Sequence, residues 1–317
     1  MFLDIINRLI PALADAAALS LVTLAIVLIF RTSFTTNFAQ GMIATTAAYI
    51  TTVFYNRFLF VRFPESNIAL LMIISFLSGI MVGFLIGVFI DVVLIRKSKF
   101  SNALTKQMIT MGVVLFLLGL LPTLFYRADL NMPSIPRFFT KTMMIAVGDR
   151  FMVIQQNHLY SIAVATIAIS AVFIALKYTK WGLGVRSTAS NERVAGMMGV
   201  NTKLITALSW GIAGALGSIG AMLHATSQTV SAGMMVEMQV NGFLASILGG
   251  FSTFIGPVVG AIIIPVLNTF TSFISQRITV GGASLSVYYK VFVYIIILII
   301  ILIKPIGLFG KKIAKKV

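Results

Sequence analysis

The chain has 317 residues, 59% of them hydrophobic and only 10% charged, with no cysteine and a formal net charge of +16. A water-soluble domain carries about 25% charged residues, so a mean hydropathy of +1.02 excludes an ordinary soluble enzyme and makes lipid the solvent for most of the surface. The basic excess sits between long uncharged runs, which favours the loops of a membrane protein over a nucleic-acid partner, and the missing thiols exclude disulfides, thiolate zinc sites and thiol nucleophiles.

A spanning helix needs about 20 mostly apolar residues. Taken in chain order, clear runs of that kind cover 10–30, 67–95, 108–126, 159–176, 204–223 and 287–303. Two further segments are irregular: 41–54 is short, and 240–275 is interrupted by glycine and proline. The expectation is an all-α polytopic membrane protein, a single domain over 1–317 with about eight transmembrane helices and one broken or re-entrant segment. No cleaved signal peptide is expected, because Asp4 and Asp15 fall where a basic start and a small-residue cleavage site would stand.

Orientation follows from where Lys and Arg collect in short loops. Segments 96–106, 177–203 and 304–317 hold more than half of the 24 basic residues, which puts these three in the cytoplasm and 55–66, 127–158, 225–238 and 276–286 outside. Helix parity then requires an inward dip between the run ending at 223 and the one ending at 275. The segment 240–250 is read as a half-helix turning at Gly249-Gly250, with 256–275 returning outward. Irregular backbone at this depth survives only when buried in protein or facing a watery cavity. The polar stretch 31–40 marks a second break, and paired breaks of this kind point to a transport route; a tight helix connection is the alternative. The N-terminus is left on either side.

Small residues at helical spacing allow helices to touch in lipid, where no hydrophobic force presses them together. Gly79, Gly83 and Gly87 recur every four residues, and Gly211, Gly214, Gly217 and Gly220 every three; Gly256 pairs with Gly260. The first set reads as a packing face; the other two read equally as packing or pore lining.

No Gly-x-x-x-x-Gly-Lys-Ser/Thr phosphate loop occurs, so the chain does not hydrolyse ATP alone. Gly182-Leu183-Gly184 lacks the rest of a dinucleotide fingerprint. His158 and His224 fall at external helix ends and read as interfacial residues, with no metal site supported. Ionisable residues within the spans are few: Asp15 in the first helix, and Asp91 beside Arg96, where an interfacial ion pair is expected. Their scarcity argues against a proton- or sodium-driven carrier, and directs attention to the largest cytoplasmic loop. There 191–199 can form a short helix with Ala195, Met197 and Met198 exposed. Methionine adapts well to binding surfaces, so this helix fits either a groove in a soluble motor protein or a rest on lipid headgroups.

The run Thr179-Lys180-Trp181-Gly182, Arg186, Ala189, Asn191-Glu192, Ala195 and Met198-Gly199-Val200-Asn201 resembles the cytoplasmic signature of LivH/LivM-type permeases of branched-chain amino acid ABC importers. Asn37-Phe38-Ala39-Gln40-Gly41 resembles the family's Asn-Phe-Ala-His-Gly, with Gln for His. Leu248-Gly249-Gly250 through Gly256-Pro257 and Gly260-Ala261 resembles its membrane hairpin, and Lys304-Pro305-Ile306-Gly307-Leu308-Phe309-Gly310 its ending. The Asn37 motif and compact start look more like LivH; Asn191-Glu192 and Gly256-Pro257 lean to LivM. The LivH-like reading is favoured.

The resemblance implies a multi-pass protein of the bacterial inner membrane that works with a second permease subunit, two ATP-binding cassette ATPases and an extracytoplasmic substrate-binding protein. This chain would bind no cofactor, ATP and Mg residing on the ATPases. Glu192, Arg193, Ala195, Met198, Gly199, Val200 and Asn201 would form the coupling contact, and 127–158 would help receive the binding protein. The passage is sought around Asn37, Gln40, Thr45, Thr46, Asn241, Gly249 and Gly250. The expected function is alternating-access import of branched-chain or other amino acids. The alternatives are a permease for urea, amides, nucleosides or sugars, and a self-contained channel or secondary carrier.

Overall fold

The computed structural model describes residues 2–63, 67–98, 102–127, 134–147, 150–280 and 283–310. The chain starts with α1 (Phe2–Ser33), then α2 (Gln40–Val53), which runs on through a π-helical segment Phe54–Leu59 to a last turn at Phe60–Arg62. Next come α3 (Ile68–Phe89), closed by a π-helical Ile90–Ile95, and α4 (Ala103–Arg127). A hairpin of β1 (Thr142–Val147) and β2 (Arg150–Gln155) leads into α5 (Gln156–Tyr178), α6 (Lys180–Ser190), α7 (Glu192–Met197) and α8 (Thr202–Ala225). The chain then forms α9 (Val236–Gly249), α10 (Ile255–Ser275), a minimal hairpin β3 (Thr279–Val280) and β4 (Ala283–Ser284), and α11 (Tyr289–Ile303). The all-α membrane class holds: among the described residues 7 helices are long and apolar enough to cross a bilayer, with α2 and α9 as the irregular additions.

The helices are not equally central. In the apolar windows of α1 and α8, 78% and 67% of residues are buried, against 17% for α4 and 11% for the helix that includes α11. The outer helices present large apolar side chains such as Leu115, Phe116, Ile167 and Leu302 to the surroundings, as a lipid-facing surface requires. The glycine stripes make the central contacts. Gly83 lies against Gly214 and Ser218, Gly87 against the backbone of Trp210 and Gly211, and Gly79 against Thr51 and Met222. Gly217 receives Gln40, Gly220 packs on Ala18, and Gly260 on Ala245. All three sets are packing faces within this chain, with backbones close enough to exclude a side chain.

One end of the bundle gathers the basic loops. Arg96 bonds to Asp91 and to the carbonyl of Lys203, Thr35 Oγ1 donates to Ala103 O at 3.4 Å, and Arg31 reaches Ser252 O. At the opposite end Asn7 Nδ2 donates to Phe151 O at 3.2 Å, and Asn157 Nδ2 to Thr226 Oγ1 at 2.8 Å. α1 ends among the basic loops and begins at the opposite end of the bundle.

Three sequence expectations need correction. The run 41–54 is not a short helix, because α2 continues to Arg62 past the polar Asn56 and Arg57 that end its apolar stretch. The external segment 127–158 is not a plain loop: β1 and β2 pair in antiparallel register from Thr142↔Gln155 to Val147↔Arg150. The half-helix starts at Val236 rather than at 240. Lys99, Asp129, Asp149, Lys311, Lys312, Lys315 and Lys316, which entered the charge reading, lie outside the described residues.

Candidate functional site: a broken-helix joint, a helical hairpin, a cavity and an exposed handle

The joint between α1 and α2 leaves non-helical backbone buried in the protein, where an unsatisfied polar group costs a few kcal/mol. Phe34 turns the chain with φ 49°, a left-handed conformation uncommon for a residue with a side chain. Side chains then supply the missing partners. Asn37 Oδ1 accepts from Ala39 N at 2.9 Å and Asn37 Nδ2 donates to Gln40 Oε1 at 3.1 Å. Gln40 Nε2 donates to Ala213 O on α8 at 2.9 Å, and Phe38 N donates to Thr110 Oγ1 on α4 at 3.3 Å. From α9, Gln239 accepts from Gly41 N at 2.5 Å and donates to Phe38 O at 2.6 Å. Asn37 and Gln40 are fully buried. Thr45 and Thr46 return their hydroxyls to Gly41 O at 2.9 Å and Met42 O at 2.7 Å, the usual way a helix in lipid satisfies them.

The second break is a helical hairpin. At about 1.5 Å per residue, the 14 residues of α9 extend only part of the way through a core of about 30 Å. Gly250, at φ 93°, turns the chain, and an L side chain there would be strained. The C-terminal motif holds this turn from below: Leu308 N donates to Leu248 O at 2.7 Å and Phe309 N to Gly249 O at 3.2 Å. Phe30 packs on Phe251 with ring centroids 4.5 Å apart, and the Arg31 guanidinium lies 5.1 Å from the Phe254 ring centre. The first break and the hairpin turn are thereby joined.

Toward the other end of the bundle, α1, α9, α10, α11 and the end of α8 line an open cavity of about 590 Å³. Its wall carries Arg8, Asp15, His224, Glu237, Asn241 and Lys290. Lys290 Nζ lies 2.6 Å from Glu237 Oε1, Arg8 Nη2 donates to Gln276 Oε1 at 2.9 Å, and Asn241 Oδ1 accepts from Tyr294 OH at 3.4 Å. Of the expected passage residues, Asn241 alone is among the cavity's lining; Asn37, Gln40, Thr45 and Thr46 lie in the joint and the start of α2, and Gly249 and Gly250 in the hairpin turn. Sequence reasoning missed the clustering because five helices distant in the chain contribute to it.

The exposed handle is at the end that gathers the basic loops. Asn191 caps α7 by accepting from Val194 N at 3.1 Å, and Asn201 caps α8 by accepting from Leu204 N at 3.1 Å. Gly199 takes φ 84° between them, so both helix starts are fixed. Glu192, Arg193, Met198, Gly199 and Asn201 are exposed and Val200 half-buried. Ala195 corrects its expected exposure: it is 5% exposed, turned inward where α7 rests on the body, while Met197 and Met198 are 76% and 80% exposed. Val194, also exposed, completes an apolar tip.

Helices long and apolar enough to cross a bilayer around a broken-helix core define a polytopic membrane protein. Residues 9–302 match the family described as branched-chain amino acid transport system / permease component, and the chain belongs to that family. It is 22% identical to the high-affinity branched-chain amino acid transport system permease protein LivH of Salmonella typhimurium, over 100% of this chain and 99% of that protein. The permease protein BraD of Pseudomonas aeruginosa is 20% identical over 98% of both chains. Among solved structures, an inward-facing conformation of a putative metal-chelate type ABC transporter aligns with TM-score 0.49 and 15% identity, covering 93% of this chain and 86% of that one. The chain is a multi-pass membrane protein of the bacterial inner membrane and a transport component rather than an enzyme.

Proposed function

We propose that this chain is one of two permease subunits of an ATP-binding cassette importer, moving branched-chain or closely related amino acids. Two partner ATPases bind ATP and Mg and close on each other, and an extracytoplasmic binding protein delivers the solute to the outer end, where Arg137 and Lys141 precede the β1–β2 hairpin. The reading rests chiefly on the tip of α7: Val194, Met197 and Met198 stand exposed beyond the basic end of the bundle, apolar side chains whose exposure is explained by a partner groove. Capped by Asn191 and joined to α8 through the short turn 198–201, the handle passes a push to the helix that packs on α1, α2 and α3. The solute route follows the broken elements. It enters past Asn241, leaves by the Gly249-Gly250 turn, and is walled by the joint of Asn37 and Gln40 with Thr45 and Thr46 beside it.

Co-expression with the partner subunits tests this. The ATPases co-purify with the wild-type permease, and Met198→Asp, which places a charge in the docked tip, abolishes their retention and concentrative uptake. Uptake that persists with Met198→Asp, or solute flux through the isolated chain in liposomes without ATP, overturns the importer reading.

A further inference from the structure

We propose that Arg96 is the positioning residue that fastens the root of the handle to the end of α3, so that a displacement of α7 moves α3 and α8 together. The inference rests on the reading of α7 as the element that docks on a partner ATPase, and adds to it the contact through which the docked element acts on the bundle.

Three observations carry it. Asp91 is a carboxylate in the π-helical end of α3, and its side chain is only 5% exposed. A buried charge is costly there, and a well-packed apolar residue would serve stability as well or better. The backbone is shaped to keep the pair: Arg96 N donates to Asp91 O, five residues back, at 3.1 Å, and this wider turn brings the Arg96 side chain round to the Asp91 carboxylate. In an α-helix the facing neighbours are three and four residues apart instead, and π-helical turns recur at functional positions. Finally, one nitrogen serves two acceptors. Arg96 Nη2 donates to Asp91 Oδ2 and to Lys203 O, one N–H to each. Asp91 thereby orients the guanidinium, and the guanidinium holds the first turn of α8.

The place of that contact gives it a role. Lys203 stands just after Asn201, the cap of α8, where the turn 198–201 enters the helix, and both Lys203 and Leu204 are exposed. Without Arg96 this first turn would give way locally under a push from α7. Held by Arg96, it delivers the push to α3 and α8 at once, along helices already in backbone contact where Gly87 meets Trp210 and Gly83 meets Gly214. Two bonds carry the movement on to the joint between α1 and α2: Trp210 Nε1 donates to Ser33 Oγ at 2.9 Å, and Gln40 Nε2 to Ala213 O at 2.9 Å. Chains of packed elements and hydrogen bonds of this kind transmit coupling between distant sites.

The test uses the assembled complex of permease, ATPases and binding protein in liposomes, with leucine uptake and ATP hydrolysis measured together. Arg96→Lys keeps a cation beside Asp91, but its shorter side chain and point charge do not reproduce the fork that also reaches Lys203 O. It should accumulate, retain the ATPases and hydrolyse ATP at the wild-type basal rate, while leucine imported per ATP falls roughly ten-fold, as for loss of a bond from a charged group. Arg96→Gln should lower uptake per ATP at least as far, and adding Asp91→Asn to it should lower it no further, because the two residues act through one contact. Wild-type uptake per ATP in Arg96→Lys, or a further loss in the double variant, overturns the role. So does a loss of uptake in proportion to lost ATPase, or failure of both Arg96 variants to accumulate, either of which makes the pair a folding contact only. A wild-type complex that recruits no ATPase or imports no leucine fails the importer reading and takes this inference with it, whereas coupled import by the wild type and by Arg96→Lys alike leaves that reading standing and removes the fastening alone.

Discussion

Gln239 illustrates how much of this fold depends on one side chain. Its amide accepts from Gly41 N and donates to Phe38 O, thereby tying α9 to the start of α2. Gly41 is buried and Phe38 half-buried, so water replaces the lost partners only in part. Gln239→Ala should therefore cost about 1–3 kcal/mol, one buried and one half-buried group losing a partner, read as a lower thermal midpoint in detergent. Gln239→Glu keeps an acceptor for Gly41 N but turns a carboxylate toward the Phe38 carbonyl, so it should be no better than Ala. A midpoint unchanged in both variants would show that the joint is held elsewhere. Sequence analysis singled out Asn37 and Gln40 from their motif but passed over Gln239, which belongs to no motif and meets its partners only after the chain has folded back on itself.

At the scale of elements, the contact between α3 and α8 is the tightest commitment. A Cβ added at Gly83 would meet Ser218 Oγ and lie 2.7 Å from Gly214 O, with no flexible neighbour to yield on the backbone side. Gly83→Leu should push the helices apart and abolish accumulation of folded protein, whereas Gly112→Leu, where the space is open, should be tolerated. Immunoblots of membrane fractions distinguish the two. That stripe was legible because spacing alone defines a helix face. The hairpin turn was legible for a related reason, since glycine and proline interrupt an otherwise apolar run. The length of α2 was not legible: Asn56, Arg57 and Arg62 end the hydropathy signal while the helical backbone continues beyond it through a π-helical segment. The β1–β2 hairpin was hidden as well, because its two strands are mostly apolar runs without clean alternation. Ala195 is small enough to pack inward on a helix of 6 residues, and composition could not separate its face from that of Met197 and Met198.

For the molecule as a whole, everything proposed about partners depends on which end faces which compartment. The internal bonds divide the chain into two ends without reference to a membrane: residues 31–35, 96, 103, 203, 252 and 308 at one, residues 7, 151, 157, 226 and 276 at the other. Only the distribution of Lys and Arg assigns them to sides, and the rule gives the handle and the hairpin turn to the cytoplasm and the 590 Å³ cavity to the outside. Because the native chain has no cysteine, single substitutions can be read without background. In inverted and right-side-out vesicles, a membrane-impermeant maleimide should label Met197→Cys only from the cytoplasmic face and Gln276→Cys only from the outer face. Gln40→Cys, sealed in the joint, should resist label from both. Adding the ATPases should protect Met197→Cys and leave Gln276→Cys reactive, whereas labelling of both sites from one face would mean that the chain does not cross the bilayer as the bonds between its ends require. Reversed sides for both would leave the fold intact but put the handle out of reach of any cytoplasmic motor, and the direction of force through α8 would have to be sought from the cavity end.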